Sequence, residues 1–146
     1  METVGDLLSD KGYRVWTIDQ GASLQEAASH MLQTAVNSLI VLDGGRPAGI
    51  ITSRDLVRAL ANRPKSAGAD LVAEFMSEDL EIATEGDELA AVQARMVARR
   101  IHHIPVTRDG SVVGVLDLLD VVNRQLSTAR ALTDDLSDCM TGPARR

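Results

Sequence analysis

The 146 residues contain almost no aromatic side chains, 2% in all, and Tyr13, Trp16 and Phe75 are the only large rings. Any core must therefore be assembled from Val, Leu, Ile, Ala and Met. A single cysteine, Cys139, excludes an internal disulfide, and the polar segment around it holds no adjacent histidine or basic residue to activate a thiolate. Lys and Arg number 15 against 21 Asp and Glu, for a net charge of -6. The basic face that displaces counterions from nucleic acid is missing, so no nucleic-acid partner is expected. The longest aliphatic run, Leu39-Ile40-Val41-Leu42, is too short to cross a bilayer. Met1 to Asp6 shows neither the basic start nor the apolar stretch of a secretion signal, so the expectation is a cytoplasmic protein with no membrane contact. Gly-x-Ser-x-Gly, the phosphate-loop signature, Gly-x-Gly-x-x-Gly and His-Glu-x-x-His are all absent, and no enzyme or catalytic cofactor is expected. His30 stands alone, while His102 and His103 as strand neighbours point to opposite faces, so no metal site is expected.

What is present is an ordinary globular composition, 45% apolar and 25% charged, and a length that suits one domain. Val4 to Leu8 reads as a short amphipathic turn stopped at Lys11-Gly12, followed by a strand over Tyr13 to Ile18. Ser23 with Glu26 forms a capping-box pattern, and Leu24, Ala27, Ala28, Met31 and Leu32 then give a helix one apolar face. Leu39 to Leu42, Asp43-Gly44-Gly45 and Ala48 to Ile51 read as a hairpin, and Thr52 opens a helix carrying Leu56, Val57 and Leu60 that Asn62-Arg63-Pro64 ends.

After a small, polar connector over residues 66 to 70 the plan restarts. Val72 to Met76 echoes Val4 to Leu8, Leu80 to Ala83 echoes the first strand, and Asp87 caps a helix carrying Leu89, Val92, Met96 and Val97. Leu24 and Leu89, Met31 and Met96, Gly49 and Gly114, and Asp55 and Asp120 all recur at an offset of 65. Repeats of this size bury too little apolar surface alone, so the two are expected to pack on each other. The expected class is α/β, in α+β layout: two tandem strand-helix-strand-strand-helix repeats related by a pseudo-twofold, over 1–65 and 66–126. Ser127 to Arg146, with Ala129, Leu132 and Leu136 among charges, is expected to extend the last helix and to fray at its end.

Gly49-Ile50-Ile51-Thr52-Ser53-Arg54-Asp55, the hairpin before it, the context Ile104-Pro105-Val106 and the tandem duplication together resemble a pair of cystathionine-beta-synthase-type domains, the Bateman module, over roughly residues 3 to 126. The first repeat departs from that pattern in having Leu39-Ile40-Val41 without the proline. The opening Val4 to Leu8 with Lys11-Gly12 is similar to stand-alone bacterial pairs. The resemblance implies an adenosine-containing ligand, AMP, ADP or ATP, bound between the repeats, with magnesium as a companion ion. It also implies a flat homodimer through the helices opened by Thr52 and Asp117, and regulation of an effector protein rather than catalysis.

The residues have a chemistry of their own. A carboxylate in a first helical turn can accept both hydroxyls of a ribose, and a hydroxyl at the strand-to-helix junction lies beside free backbone amides. Asp55 is thus a candidate ribose ligand and Thr52 a candidate for a phosphate or second hydroxyl. The same pair reads equally as an N-cap and a dipole-matched acid, each worth about 1 kcal/mol or less. In the second motif Asp117 replaces the hydroxyl, and Asp117 and Asp120 lie three apart on one helical face where like charges oppose each other and a phosphate. That cleft is therefore expected to differ: empty, holding an uncharged nucleoside end, or needing a bridging cation, unless Asp117 is a plain N-cap. Between Glu88 and Asp109 there is no acid but Arg95, Arg99, Arg100, His102, His103 and Arg108, a candidate anion site. Residues 101 to 106 are similar to the segment presenting a phosphate-contacting histidine in the gamma subunit of AMP-activated kinase. On that analogy His102 is the candidate, helped by Arg54 and Arg100. The alternatives are a solvated helix face for the arginines and, for the chain as a whole, a ligand-free interaction module.

Overall fold

The computed structural model describes residues 1–66 and 68–141. The first half runs through α1 (Val4–Lys11), β1 (Thr17–Asp19), α2 (Leu24–Thr34), β2 (Ser38–Asp43), β3 (Arg46–Thr52) and α3 (Ser53–Asn62). The second runs through α4 (Val72–Phe75), β4 (Ala83–Thr84), α5 (Leu89–Arg99), β5 (His103–Arg108), β6 (Ser111–Asp117) and α6 (Leu118–Thr141). Each half builds a three-stranded sheet, ordered β1-β2-β3 and β4-β5-β6, with its first pair parallel and its hairpin antiparallel. Registers repeat at the same offset: Ile18 opposes Val41 as Ala83 opposes Val106, and the hairpin bulges fall at Val41/Leu42 and Val106/Thr107. The expected α/β pseudo-twofold pair is the observed architecture.

The two halves exchange their short helices. Val4, Leu7 and Leu8 of α1 are buried with Leu89, Met96 and Ile104 of the second half, whereas Val72 of α4 is buried with Leu24, Leu39 and Ile51 of the first. Backbone bonds mirror the exchange: Val4 and Gly5 donate to Asp87 and Glu85, as Val72 and Ala73 donate to Ala22 and Gln20. Gly49 lies where α4 leaves the first core, and a Cβ there would stand 2.6 Å from the Ser77 carbonyl oxygen and 3.0 Å from Met76 Sδ. The Ile50 and Ser77 backbones bond each other in both directions beside it.

Several expectations shift. The strands placed at Tyr13 to Ile18 and Leu80 to Ala83 are shorter and later, because only Thr17–Asp19 and Ala83–Thr84 find a parallel partner in the following strand. Asp87 does not cap α5; its carboxylate accepts from the Thr84 amide and hydroxyl, and Glu88 holds the N-cap position without a side-chain bond. Ser23 and Glu26 do exchange capping bonds at the start of α2. Leu32 and Val97, on the apolar faces of their helices, are 84% and 61% exposed: Met31 and Met96 fill each core, and the remaining apolar width of the helices faces outward. Val57, Leu60 and Leu119 continue that outward surface. Beyond residue 126 α6 runs on as a single helix as far as Thr141, exposed over residues 127–139, and Arg124 on it pairs with Glu2 and Asp10. The fraying expected at the end of the chain concerns residues 142–146, which lie outside the described residues. Among the described residues no helix is long and apolar enough to cross a membrane.

Glu85 fastens the second half to the segment after α1. It takes a two-pronged bond from Arg108, at 2.6 and 2.7 Å, and another from the Tyr13 hydroxyl at 2.7 Å. These bonds, Arg108 first, draw its carboxyl down from 4.5 to about 2. A depressed folded-state pKa stabilises above the unfolded value and that contribution fades as pH falls toward about 2. Thermal melts of wild type should therefore lose more between about pH 5 and about pH 3 than melts of Glu85→Gln, whose baseline is already lower. Gly49→Ala should lower the melting midpoint by several degrees through a clash worth about 1–3 kcal/mol. Gly86→Ala, with nothing within 4 Å of its Cβ, should stay within about 0.5 kcal/mol of wild type.

Candidate functional site

The strand-to-helix junction of the first half forms one wall of a cavity of about 310 Å³. Thr52, Arg54 and Asp55 come from that junction, Asp79 and Glu81 from the segment before β4, and Arg100, His102 and His103 from the turn into β5. Both halves therefore build it. Arg100 stands in the left-handed region at φ 55, as its counterpart Ala35 does at φ 56, and this conformation turns the chain from α5 toward β5 along the cleft.

Asp55 is 5% exposed, the one buried charged residue among the described residues. Its Oδ2 accepts from the Thr52 amide at 2.9 Å and from the Thr52 hydroxyl at 3.1 Å, while the Thr52 oxygen accepts from the Asp55 amide. The capping reading of this pair is thus realised in full. Oδ1 faces Arg58, whose Nη1 lies 3.2 Å away and whose side chain is 57% exposed, so one carboxylate oxygen is held only by a solvent-facing partner. Arg54, Arg100 and His102 also line the cavity and form no ion pair among the described residues. The wider basic cluster is largely neutralised: Arg95 pairs with Glu81 and Asp87, Arg99 with Glu81 and Arg108 with Glu85. Of its arginines only Arg100 keeps an unmatched charge at the cleft.

A second cavity of about 360 Å³ lies at the equivalent junction and is lined by Lys11, Arg14, Ala35, Asn37, Asp117 and Asp120. The expected opposition between Asp117 and Asp120 is relieved, because each carboxylate has its own partner. Lys11 Nζ sits 2.5 Å from Asp120 Oδ2, and His103 Nε2 sits 3.3 Å from Asp117 Oδ2. The hydrogen bond from His103, then the amide of Leu119 and the charge of Lys11, hold the Asp117 carboxyl below its ordinary value against its partial burial. His103 Nε2 also lies 2.9 Å from Asn37 Oδ1, so it faces two oxygens and carries the proton there. His103 lines both cavities.

The seven residues picked from the sequence thus divide between two sites: Thr52, Arg54, Asp55, Arg100 and His102 around the first cavity, Asp117 and Asp120 around the second. Sequence reasoning missed Arg58, Asp79, Asn37 and Lys11. Arg58 was legible as the position one turn beyond Asp55, but nothing local marks Lys11 as the partner of Asp120. No cluster of three or more His, Cys, Asp or Glu able to hold a metal occurs among the described residues.

Comparison with known proteins gives the same frame. The chain is 29% identical to the CBS-domain containing protein ATU1752 from Agrobacterium tumefaciens, whose structure superposes with a TM-score of 0.82 over 85% of this chain and 99% of that one. The CBS domain pair of protein MJ0100, solved in complex with 5'-methylthioadenosine and S-adenosyl-L-methionine, is 28% identical with a TM-score of 0.76, covering 88% and 98% of the two chains. A mitochondrial CBS domain-containing protein of Arabidopsis thaliana, CBSX3, is 31% identical over 131 residues, 82% of this chain and 63% of its own. Homoserine O-acetyltransferase of Methanohalophilus mahii matches at 34% over 78% of this chain but only 22% of its own length. The chain thus spans less than two thirds of these two relatives. The CBS domain pattern itself matches residues 4–62 and again 72–127, and with both repeats and their paired sheets in place this chain belongs to the CBS domain family.

Proposed function

We propose that the chain is a cytoplasmic, non-catalytic regulatory module that takes an adenosine-containing ligand in the first cleft and acts through a second copy and an effector protein. The observation that carries the reading is the buried Asp55 carboxylate, one oxygen of which is engaged only by exposed Arg58, facing a cavity that also holds unpaired Arg54 and Arg100. A ribose diol donates two hydroxyls to such a carboxylate, displacing Arg58, and phosphate oxygens then accept from Arg54, Arg100 and His102. Thr52 and the amides opening α3 lie beside that path. The cavity volume lies at the lower end of the range for small-molecule sites. Magnesium enters, on this reading, with the phosphates of ADP or ATP.

The exposed apolar surface of Leu32, Val57, Leu60, Val97 and Leu119 supports a homodimer through the helices. The same surface favours the competing reading of a ligand-free interaction module. A thermal-shift screen against adenosine, AMP, ADP, ATP and S-adenosylmethionine, with and without magnesium, separates the two. A ligand at about a hundred times its dissociation constant should add about 2.7 kcal/mol, a shift of several degrees, and Asp55→Asn should lose it while keeping the cap acceptor. No shift with any of them, beside an intact dimer, would leave the interaction module. Leu32→Asp combined with Val97→Asp should sediment as a monomer, and a doubly substituted chain that still dimerises would refute the helix-face interface.

A further inference from the structure

We infer that Lys11 closes the second cleft as a built-in cation, so that this chain takes its nucleoside in the first cleft alone; the inference rests on the ligand-binding reading of that first cleft. Volume does not separate the clefts, since the second is slightly the larger, about 360 against about 310 Å³. What separates them is which groups are already engaged. Asp120 occupies the position of Asp55, and Val115 that of Ile50. Lys11 Nζ lies 2.5 Å from Asp120 Oδ2 and donates to the Val115 carbonyl oxygen at 2.8 Å. An ammonium held there fills the donor positions that a ribose diol would need at this carboxylate. At the first cleft Lys11 has no counterpart: Met76, packed beside Gly49, answers to Leu8 beside Gly114, and α4 stops at Phe75 whereas α1 runs on to Lys11.

The rest of the second cleft agrees. Asp117 takes the Thr52 position but is engaged by His103 and by the amide of Leu119. Arg54, Arg58 and Arg100 have Leu119, Asn123 and Ala35 as their counterparts, so none of the three guanidinium groups of the first cleft recurs at its equivalent position in the second. Arg14, in the place of Asp79, remains as a cation beside Lys11. With Lys11 gone, the carboxylate of Asp120 becomes available to an uncharged nucleoside. The Lys11 and Asp120 side chains are 37% and 35% exposed, so replacing Lys11 opens the cleft without excavating the core.

Equilibrium titration of the full chain with adenosine, which carries the diol and no phosphate, tests this. Wild type should bind about one adenosine per chain, Lys11→Met about two, and Lys11→Met with Asp120→Asn about one again. Two adenosines on wild type, or one on Lys11→Met, would overturn the closure while leaving the first-cleft reading standing. A wild type that binds no adenosine, and no AMP in the same titration, would overturn that reading and the closure with it. Circular dichroism melts of the two variants identify a loss of sites that comes from unfolding. Should Lys11→Met unfold, Lys11→Gln, which keeps a polar stem and removes the charge, takes its place and carries the same expected count.

Discussion

Everything in this molecule depends on the exchange of two short helices across the pseudo-twofold. Val4, Leu7 and Leu8 complete the core of the second half, and Val72 completes that of the first. Each such side chain contributes about 1.5–3 kcal/mol when fully buried, so neither half closes its core alone. The exchange also fixes where the clefts are. Leaving the exchanged helices, the chain passes residues 11 to 14 and 77 to 81, and these segments form walls of the second and first cavities. On the proposed reading, a ligand in the first cleft would touch the connection by which one half completes the other, and it could bias packing between halves by no more than its difference in affinity for the two arrangements.

Asp55 carries a structural role to which the proposed binding role is added in the same side chain. Its burial is compensated in the empty protein by the Thr52 amide and hydroxyl, so a ligand does not have to bear the cost of desolvating a carboxylate. The remaining oxygen is held by an arginine that is mostly in water, an interaction of low worth that a hydroxyl pair can replace. Capping fixes the rotamer and the aim of the group, and the weak outer partner keeps it available.

Divergence between the repeats acts on this shared backbone. Registers, bulges and left-handed turns coincide position by position, yet the two junctions carry opposite local chemistry. In the first, acids and unpaired arginines face a common cavity. In the second, two acids are each engaged by a partner from elsewhere in the chain, Asp120 by Lys11 of α1 and Asp117 by His103 of β5. His103 lies between the two cavities, bound to Asn37 on one side and Asp117 on the other, and physically joins them.

The sequence by itself determined the duplication, the hairpins with their turns, the helix opened by Ser23 and Glu26, and the junction at Thr52 and Asp55. These are set by local chemistry, namely apolar spacing, glycine at turns and reciprocal capping, which reads along the chain. It misplaced β1 and β4, since a parallel edge strand extends only as far as its neighbour pairs with it. It misread Asp87, whose carboxylate had a nearer partner in Thr84, and it left open which part of each apolar stripe faces the core, so the exposure of Leu32 and Val97 was not legible. Only the tertiary structure decided that α1 belongs to the second core, that Arg95 and Arg99 are neutralised by Glu81, and that Lys11 meets Asp120. Those partners lie far apart along the chain, and charge alone cannot choose among 15 cations and 21 acids until packing brings particular ones together.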